Sequence, residues 1–255
     1  MTVSAELAEI HQWWAQRSGL AGPATAFRIA GSAYDQVTPA GIDNPYWEIV
    51  RQLPSVREAG QGICPDGFAR GLPVGHHLLT KRYSWAIPSP GDIAWLTQIL
   101  GGRGLVEIGA GSGYWVWQAE QAGIDAIAYE PVSSSANTYT DGTEYSAVRR
   151  DGPAAARHHP DRALLLCWPS HGDPWASEAL HAYTGDLVIY IGPGAGGRCA
   201  DDDFFRLLAR EWTPIGSSVH HITWRHTHSA MTAYRRRERN AATVVGADRT
   251  TTRYA

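Results

Sequence analysis

The sequence predicts a doubly wound α/β fold, a mostly parallel sheet with helices on both faces. It ends in an antiparallel terminal strand and is preceded by an N-terminal cap of helices and loops. Three observations predict it. Between residues 89 and 235, short apolar runs alternate with amphipathic stretches, as crossover-connected parallel strands require. Residues 163–168 and 186–191 are apolar on both faces, as in strands buried between two helix layers. Residues 105–114 carry an apolar strand straight into Gly109-Ala110-Gly111-Ser112-Gly113 and then into a helix.

The elements follow in order. Residues 4–18 read as a helix with Ser4 as cap, Leu7, Ile10, Trp13 and Trp14 on its apolar face, and Gly19 at its end. Asn44-Pro45 opens a second helix over 46–53, which Pro54 ends. Residues 55–80 are rich in Gly and Pro and show no convincing period. Residues 1–88 therefore read as a cap on the core rather than an independent domain. Ser89-Pro90-Gly91-Asp92 starts a helix with Ile93, Leu96 and Leu100 on one stripe, stopped by Gly101-Gly102. Strand 105–108, helix 114–122 and strand 126–129, which ends in Glu130, come next. Residues 132–144 lack an apolar period and predict a loop or a short helix. A weak third strand (145–149), a helical run (154–158), strand 163–168, helix 174–183 and strand 186–191 complete the alternation. Asp201-Asp202-Asp203 then cap a helix to Trp212, and 217–224 and 231–234 read as two final strands. The core spans 89–239, and residues 240–255 read as a flexible tail.

At 255 residues, 44% of them hydrophobic, the chain can bury one sizeable core. A formal charge of −3 gives no overall attraction to nucleic acid or to an anionic membrane, so neither is an expected partner. No stretch approaches membrane-span length, and the N-terminus lacks a leader pattern. Cys64, Cys167 and Cys199 are far apart and in no metal-ligand spacing, which fits a reduced, cytoplasmic protein without a metal.

The glycine loop discriminates between ligands. A dinucleotide fingerprint needs Gly-x-Gly-x-x-Gly, and an ATPase loop needs Gly-Lys-Ser/Thr. Here the spacing is Gly109-x-Gly111-x-Gly113, with Tyr114 following, so a pyrophosphate ligand is disfavoured. A strand, glycine loop, helix, strand and terminal acid still make a nucleoside-binding half.

The Glu-x-Gly-x-Gly-x-Gly series from Glu107 to Gly113, with Glu130 ending the next strand, resembles the first motif of class I S-adenosylmethionine-dependent methyltransferases. The resemblance spans roughly residues 83 to 235. It implies a Rossmann-like methyltransferase sheet and S-adenosylmethionine as cofactor. Glu107, Gly109, Gly111, Gly113 and Tyr114 would lie around its methionine part, and Glu130 would accept from both ribose hydroxyls. Asp151 and Gly152, after the third strand, match the adenine-contacting position, and Trp168, after the fourth, joins the cofactor set. Tyr83-Ser84-Trp85-Ala86-Ile87-Pro88, Leu165-Leu166-Cys167-Trp168-Pro169 and Val188-Ile189-Tyr190-Ile191-Gly192 are similar to a narrower group of small methyltransferase-like proteins. That group usually continues Cys-Trp-Pro-Pro-Tyr, similar to the loop of amino-methylating enzymes. This chain has Trp168-Pro169-Ser170-His171-Gly172-Asp173 instead, so nitrogen and oxygen acceptors both stay open.

Methyl transfer needs an aligned nucleophile, exclusion of water and removal of a proton where the nucleophile carries one. His171 lies just past the fourth strand, where a general base could act, with Asp173 near enough in sequence to orient it. Tyr83 is the third catalytic candidate. Trp85 reads as packing, while Tyr83 and Tyr114 are candidates to face a sulfonium charge. His220-His221 and His226-x-His228 lack a Cys or carboxylate at metal spacing and read as surface or acceptor-pocket residues. The expected function is methyl transfer to nitrogen or oxygen of a small-molecule or peptide acceptor. The alternatives are an inactive cofactor-binding scaffold and an NAD(P)-dependent oxidoreductase; the oligomeric state is open.

Overall fold

The structure, a computed structural model, describes residues 4–17 and 33–238; Gly19 and the tail 240–255 lie outside the described residues. Ser4 Oγ accepts the Leu7 amide at 3.2 Å and opens α1 (Ala5–Ala15), which buries Ile10, Trp13 and Trp14. Asn44 caps α2 (Pro45–Val50) through the Trp47 amide. This helix closes before Pro54 in a tighter turn, Leu53 N–H donating to the Val50 carbonyl. The 55–80 stretch, expected to lack regular structure, forms a hairpin of β1 (Ser55–Glu58) and β2 (Gly62–Pro65), followed by α3 (His76–Arg82). Its strands are four residues long, and Gly60 and Gly62 turn the chain at positive φ, so the apolar pattern is too short to register.

Ser89 caps α4 (Pro90–Leu100), and Gly101 ends it at φ +57°. The core then alternates through β3 (Leu105–Ile108), α5 (Tyr114–Gln121), β4 (Ala126–Tyr129), β5 (Val148–Arg149), β6 (Ala163–Cys167), α6 (Trp175–Ala182), β7 (Leu187–Gly192), α7 (Asp202–Glu211), β8 (Trp212–Ser217) and β9 (Ala230–Arg236). The sheet order is β5-β4-β3-β6-β7-β9-β8; the first five are parallel, and β9 is antiparallel to both neighbours. This is the expected doubly wound, Rossmann-like sheet with an antiparallel terminal strand. The strand order reverses at β3, so the ligand crevice of such a sheet opens beyond the carboxyl ends of β3 and β6.

One strand differs from expectation. The penultimate strand is Trp212–Ser217, directly after α7, and not 217–224. Pro214 and Gly216 read as strand breakers, but β8 is an edge strand, where a proline needs no ladder partner and a bulge absorbs the register shift. Residues 218–229 instead form a loop pinned by His221, whose Nδ1 lies 2.9 Å from Asp92 and whose Nε2 lies 3.2 Å from Ser229 Oγ.

Alternation along the strands splits the core. Leu164, Leu166, Val188 and Tyr190 pack under α6 and α7; Leu105, Leu165 and Ile189 pack under α4 and α5. A third cluster joins cap to core, with Tyr46, Trp47 and Tyr83 against Tyr114 of α5 and Trp224 of the 218–229 loop. Tyr114 is the centre of that junction. Its hydroxyl donates to Asn44 Oδ1 at 2.9 Å and accepts the Tyr46 amide at 3.1 Å. Tyr114→Phe would leave that buried amide unpaired, so we expect about 1–3 kcal/mol of stability loss in denaturant unfolding. S-adenosylhomocysteine affinity should stay unchanged.

Candidate active site

The loop after β3 bends back so that the Gly109 and Ala110 amides both donate to the Tyr129 carbonyl of β4, at 2.9 and 3.0 Å. Its three glycines serve different ends. Gly109 sits at φ +74°, and a Cβ there would lie 2.5 Å from the Trp175 ring of α6. Gly113, at φ +72°, would run into Ser146 Oγ. At Gly111, φ +56°, a Cβ would meet only Thr140 Cγ2, at 3.5 Å. Gly109 and Gly113 let neighbours close on the loop, whereas Gly111 keeps backbone open to a ligand.

Two carboxylates face this loop. Glu130, 7% exposed at the end of β4, accepts the Gly111 amide on Oε2 at 3.1 Å and the Val132 amide on Oε1 at 3.4 Å. Burial raises its pKa and those two amides oppose the rise. Glu107 on β3 is 2% exposed, and its Oε2 has no hydrogen-bond partner. Burial, then the charge of Glu130, push the Glu107 carboxyl well above its usual range, while the Val116 amide pulls it down. Neither acid has an ion-pair partner among the described residues.

Both line a cavity of about 950 Å³ at the carboxyl ends of β3 and β6. Of the residues singled out in the sequence, Gly109, Gly111, Tyr83, Trp168, His171 and Asp173 line it too. Tyr114 does not: it lies in the cap junction, because its helix turns that face toward α2. Gly113 packs behind the loop. Asp151 and Gly152 also lie off the cavity; the Gly152 amide donates to the Asp151 carboxylate, and the next residue, Pro153, is the one that reaches the wall.

Two catalytic candidates bond elsewhere. Asp173 makes no hydrogen bond to His171 among the described residues; its carboxylate accepts the Trp175 amide at 3.2 Å, ahead of α6. The Tyr83 hydroxyl donates to Glu6 of α1 at 3.4 Å, and burial pushes its phenol up to about 12. Trp85, read as packing, instead lines the cavity, with its ring 5.9 Å from that of Trp168.

His226 and His228, candidates for the acceptor pocket, line the cavity; the rest of its outer wall, Phe68, His76, Tyr139, Arg198, Arg225 and Thr227, is what sequence reasoning missed. The one local signal is a run of Gly, Pro and aromatic residues around Phe68. His226 and His228 do not share a strand face; both stand in the left-handed region, at φ +68° and +48°. Trp168, at φ +48°, is a third cavity residue of this kind, each held against on the order of 1–3 kcal/mol of strain. The β1–β2 hairpin provides the hold. Glu58 accepts the His226 amide at 2.8 Å, Gln61 accepts the His228 amide at 2.7 Å, and Asp66 pairs with Arg225 at 3.1 Å.

No protein-family model matches the chain, and no curated protein matches it. Among solved structures it is similar to a protein of the NADB-Rossmann superfamily from Streptococcus agalactiae, with 15% identity over 55% of this chain and 64% of that one, TM-score 0.37. The chain thus spans less than two thirds of that protein. It is also similar to magnesium protoporphyrin IX methyltransferase from Synechocystis PCC 6803 with bound S-adenosylmethionine, at 12% identity over 57% of this chain and 76% of that one, TM-score 0.38. A third is an S-adenosylmethionine-dependent methyltransferase from Anabaena variabilis, at 12% identity over 53% of this chain and 77% of that one, TM-score 0.36. The likeness is distant and carries no acceptor over to this chain.

Proposed function

We propose that this chain is an S-adenosylmethionine-dependent methyltransferase acting on a nitrogen or oxygen of a small-molecule or peptide acceptor. The observation that carries the reading is Glu107, a carboxyl with an orphaned oxygen, raised by burial and then by its neighbour Glu130, with no ion-pair partner among the described residues. Such a pair calls for a positively charged ligand. The anionic pyrophosphate of a dinucleotide would meet both acids unfavourably, which weighs against an oxidoreductase.

The residues present fit the cofactor. Glu107 would take the ammonium of its methionine part, and Gly111 leaves room for it. Each oxygen of Glu130 uses one lone pair on a backbone amide and keeps another, so a ribose diol can bond both. Trp168 and Trp85 give aromatic faces beside the carboxyl ends of the strands, each worth about 0.5–2 kcal/mol against a nearby cation. When bound, S-adenosylmethionine supplies an electrophilic methyl carbon on a sulfonium. The chain's own residues then position the acceptor over β6, exclude water and receive a proton where one leaves. His171, exposed on the loop after β6, is the residue placed for that last role.

Incubation with methyl-labelled S-adenosylmethionine and candidate acceptors tests the reading. Label should move to an acceptor, and His171→Ala should slow transfer about 10²-fold or more while binding S-adenosylhomocysteine normally. Cofactor bound but never turned over would favour the scaffold alternative.

A further inference from the structure

We propose that the exposed mouth of the cavity is an acceptor subsite for a flat ring bearing an anionic group, the ring on the aromatic ladder that starts at Phe68 and the anion at Arg198. This rests on the reading of the inner end as the cofactor site.

The cavity is bipolar. Among its lining residues Glu107 and Glu130 are buried, whereas Arg198, His226, His228 and the single acid Asp173 are exposed and Arg225 is half-buried. Arg225 is paired with Asp66. Arg198 is exposed and has no ion-pair or hydrogen-bond partner among the described residues, and a guanidinium keeps its charge at every accessible pH. The nearest acid in sequence, Asp201, is turned to α7, accepting the Phe204 amide at 3.0 Å and the Ser177 hydroxyl at 2.9 Å. With Arg225 held by Asp66, Arg198 is the lining guanidinium left without a partner, and an anionic acceptor would complete it.

The walls select a ring. Seven large apolar side chains are strongly exposed among the described residues; Phe68 at 59% and Tyr139 at 49% are the two aromatic ones, and both line the cavity. Exposed aromatic rings that open into a cavity offer faces on which a planar ligand can stack. They end a ladder in which Phe68 stacks on His76 at 5.0 Å, His76 meets Trp85 edge-on at 6.1 Å, and Trp85 meets Tyr139 at 6.0 Å. Burial lowers the His76 imidazole to about 4, so at neutral pH this rung is an uncharged aromatic face. The strained, hairpin-clamped loop at His226 and His228 shows that the rim is already formed before a ligand arrives.

The test uses the full chain and two pairs of probes, benzoate with benzamide and naphthoate with naphthamide, titrated calorimetrically with and without S-adenosylhomocysteine. Each carboxylate should bind about tenfold more tightly than its amide, the factor a charge-assisted hydrogen bond provides. Arg198→Ala should erase that preference, Arg198→Lys should keep part of it, and neither should change S-adenosylhomocysteine affinity. Phe68→Ala should weaken acid and amide alike. Equal affinity of acid and amide, no binding of any probe, or a preference that survives Arg198→Ala would overturn the proposal. So would a single-stranded oligonucleotide that binds more tightly than naphthoate, since the rim would then serve a polyanion. If S-adenosylhomocysteine fails to bind while the carboxylate preference holds, the cofactor reading fails and the subsite stands. Normal S-adenosylhomocysteine binding without the preference removes the subsite alone.

Discussion

Glu107→Gln is expected to abolish cofactor binding and, in the same variant, to stabilise the ligand-free protein. The two effects share one cause. Glu107 is buried with one oxygen unpaired and with Glu130 raising its pKa, so its ionised form is unfavourable until a cation arrives. A glutamine keeps an oxygen for the Val116 amide and carries no charge. The sign follows from the raised pKa. Relative to the unfolded chain, the folded protein favours the protonated carboxyl, so whatever stability that confers is complete in acid and lost as pH rises through the raised value. Glu107→Gln does not titrate, so its advantage should appear above that pH and vanish below it. The glutamine NH2 that replaces Oε2 is itself unpaired, so the gain is the relieved charge alone, and each kcal/mol of it moves the melting temperature of a chain this size by about 2–4 °C. Thermal melts at alkaline and acid pH, with S-adenosylhomocysteine titrations alongside, measure both effects. A variant that is destabilised at alkaline pH and still binds would remove Glu107 from the site.

The second large effect separates two glycines two residues apart. Gly109→Ala would place a methyl 2.5 Å from the Trp175 ring, between β3 and α6, in a left-handed backbone. Overpacking and left-handed strain together should cost about 2–5 kcal/mol, a large share of the roughly 5–15 kcal/mol that holds an ordinary domain folded. Gly111→Ala carries the strain alone, about 1–2 kcal/mol, because its methyl meets only Thr140 Cγ2 at 3.5 Å. That variant should fold, with native circular dichroism, and lose cofactor affinity because the methyl fills the space beside Glu130. Equal stability of the two variants would mean that the loop glycines share one role.

What could be read in the chain and what could not divide along physical lines. The strand from Leu105 to Ile108, its glycine loop and Glu130 are local in sequence, and their spacing determines how close they stand once β3 and β4 pair. The orphaned oxygen of Glu107 and the close approach of Trp175 are packing facts with no sequence period. Asp173 followed by Pro174 carried a readable helix-start signal, which outweighs proximity to His171 as the guide to its partner. Tyr114 shows the limit of motif logic, since the face of α5 that it occupies depends on the cap settled over it. The β8 strand was hidden by Pro214 and Gly216, tolerated only because the strand lies at an edge. The outer wall was the least legible part. Phe68, Arg198 and Arg225 come from three separate stretches, brought to one cavity by the hairpin and the 218–229 loop.

The central claim is that the inner cavity holds a cation-bearing nucleoside on Glu107. Calorimetric titration of S-adenosylmethionine in two buffers of different ionisation heat, beside NADH, tests it most directly. A cation settling beside Glu107 lowers its raised pKa, so binding should release protons, and affinity should fall as pH drops below the ligand-free value. S-adenosylmethionine binding more tightly than NADH, with proton release that disappears in Glu107→Gln along with the binding, is the result expected. Tight NADH binding, or S-adenosylmethionine binding whose heat is the same in both buffers at every pH, would contradict it.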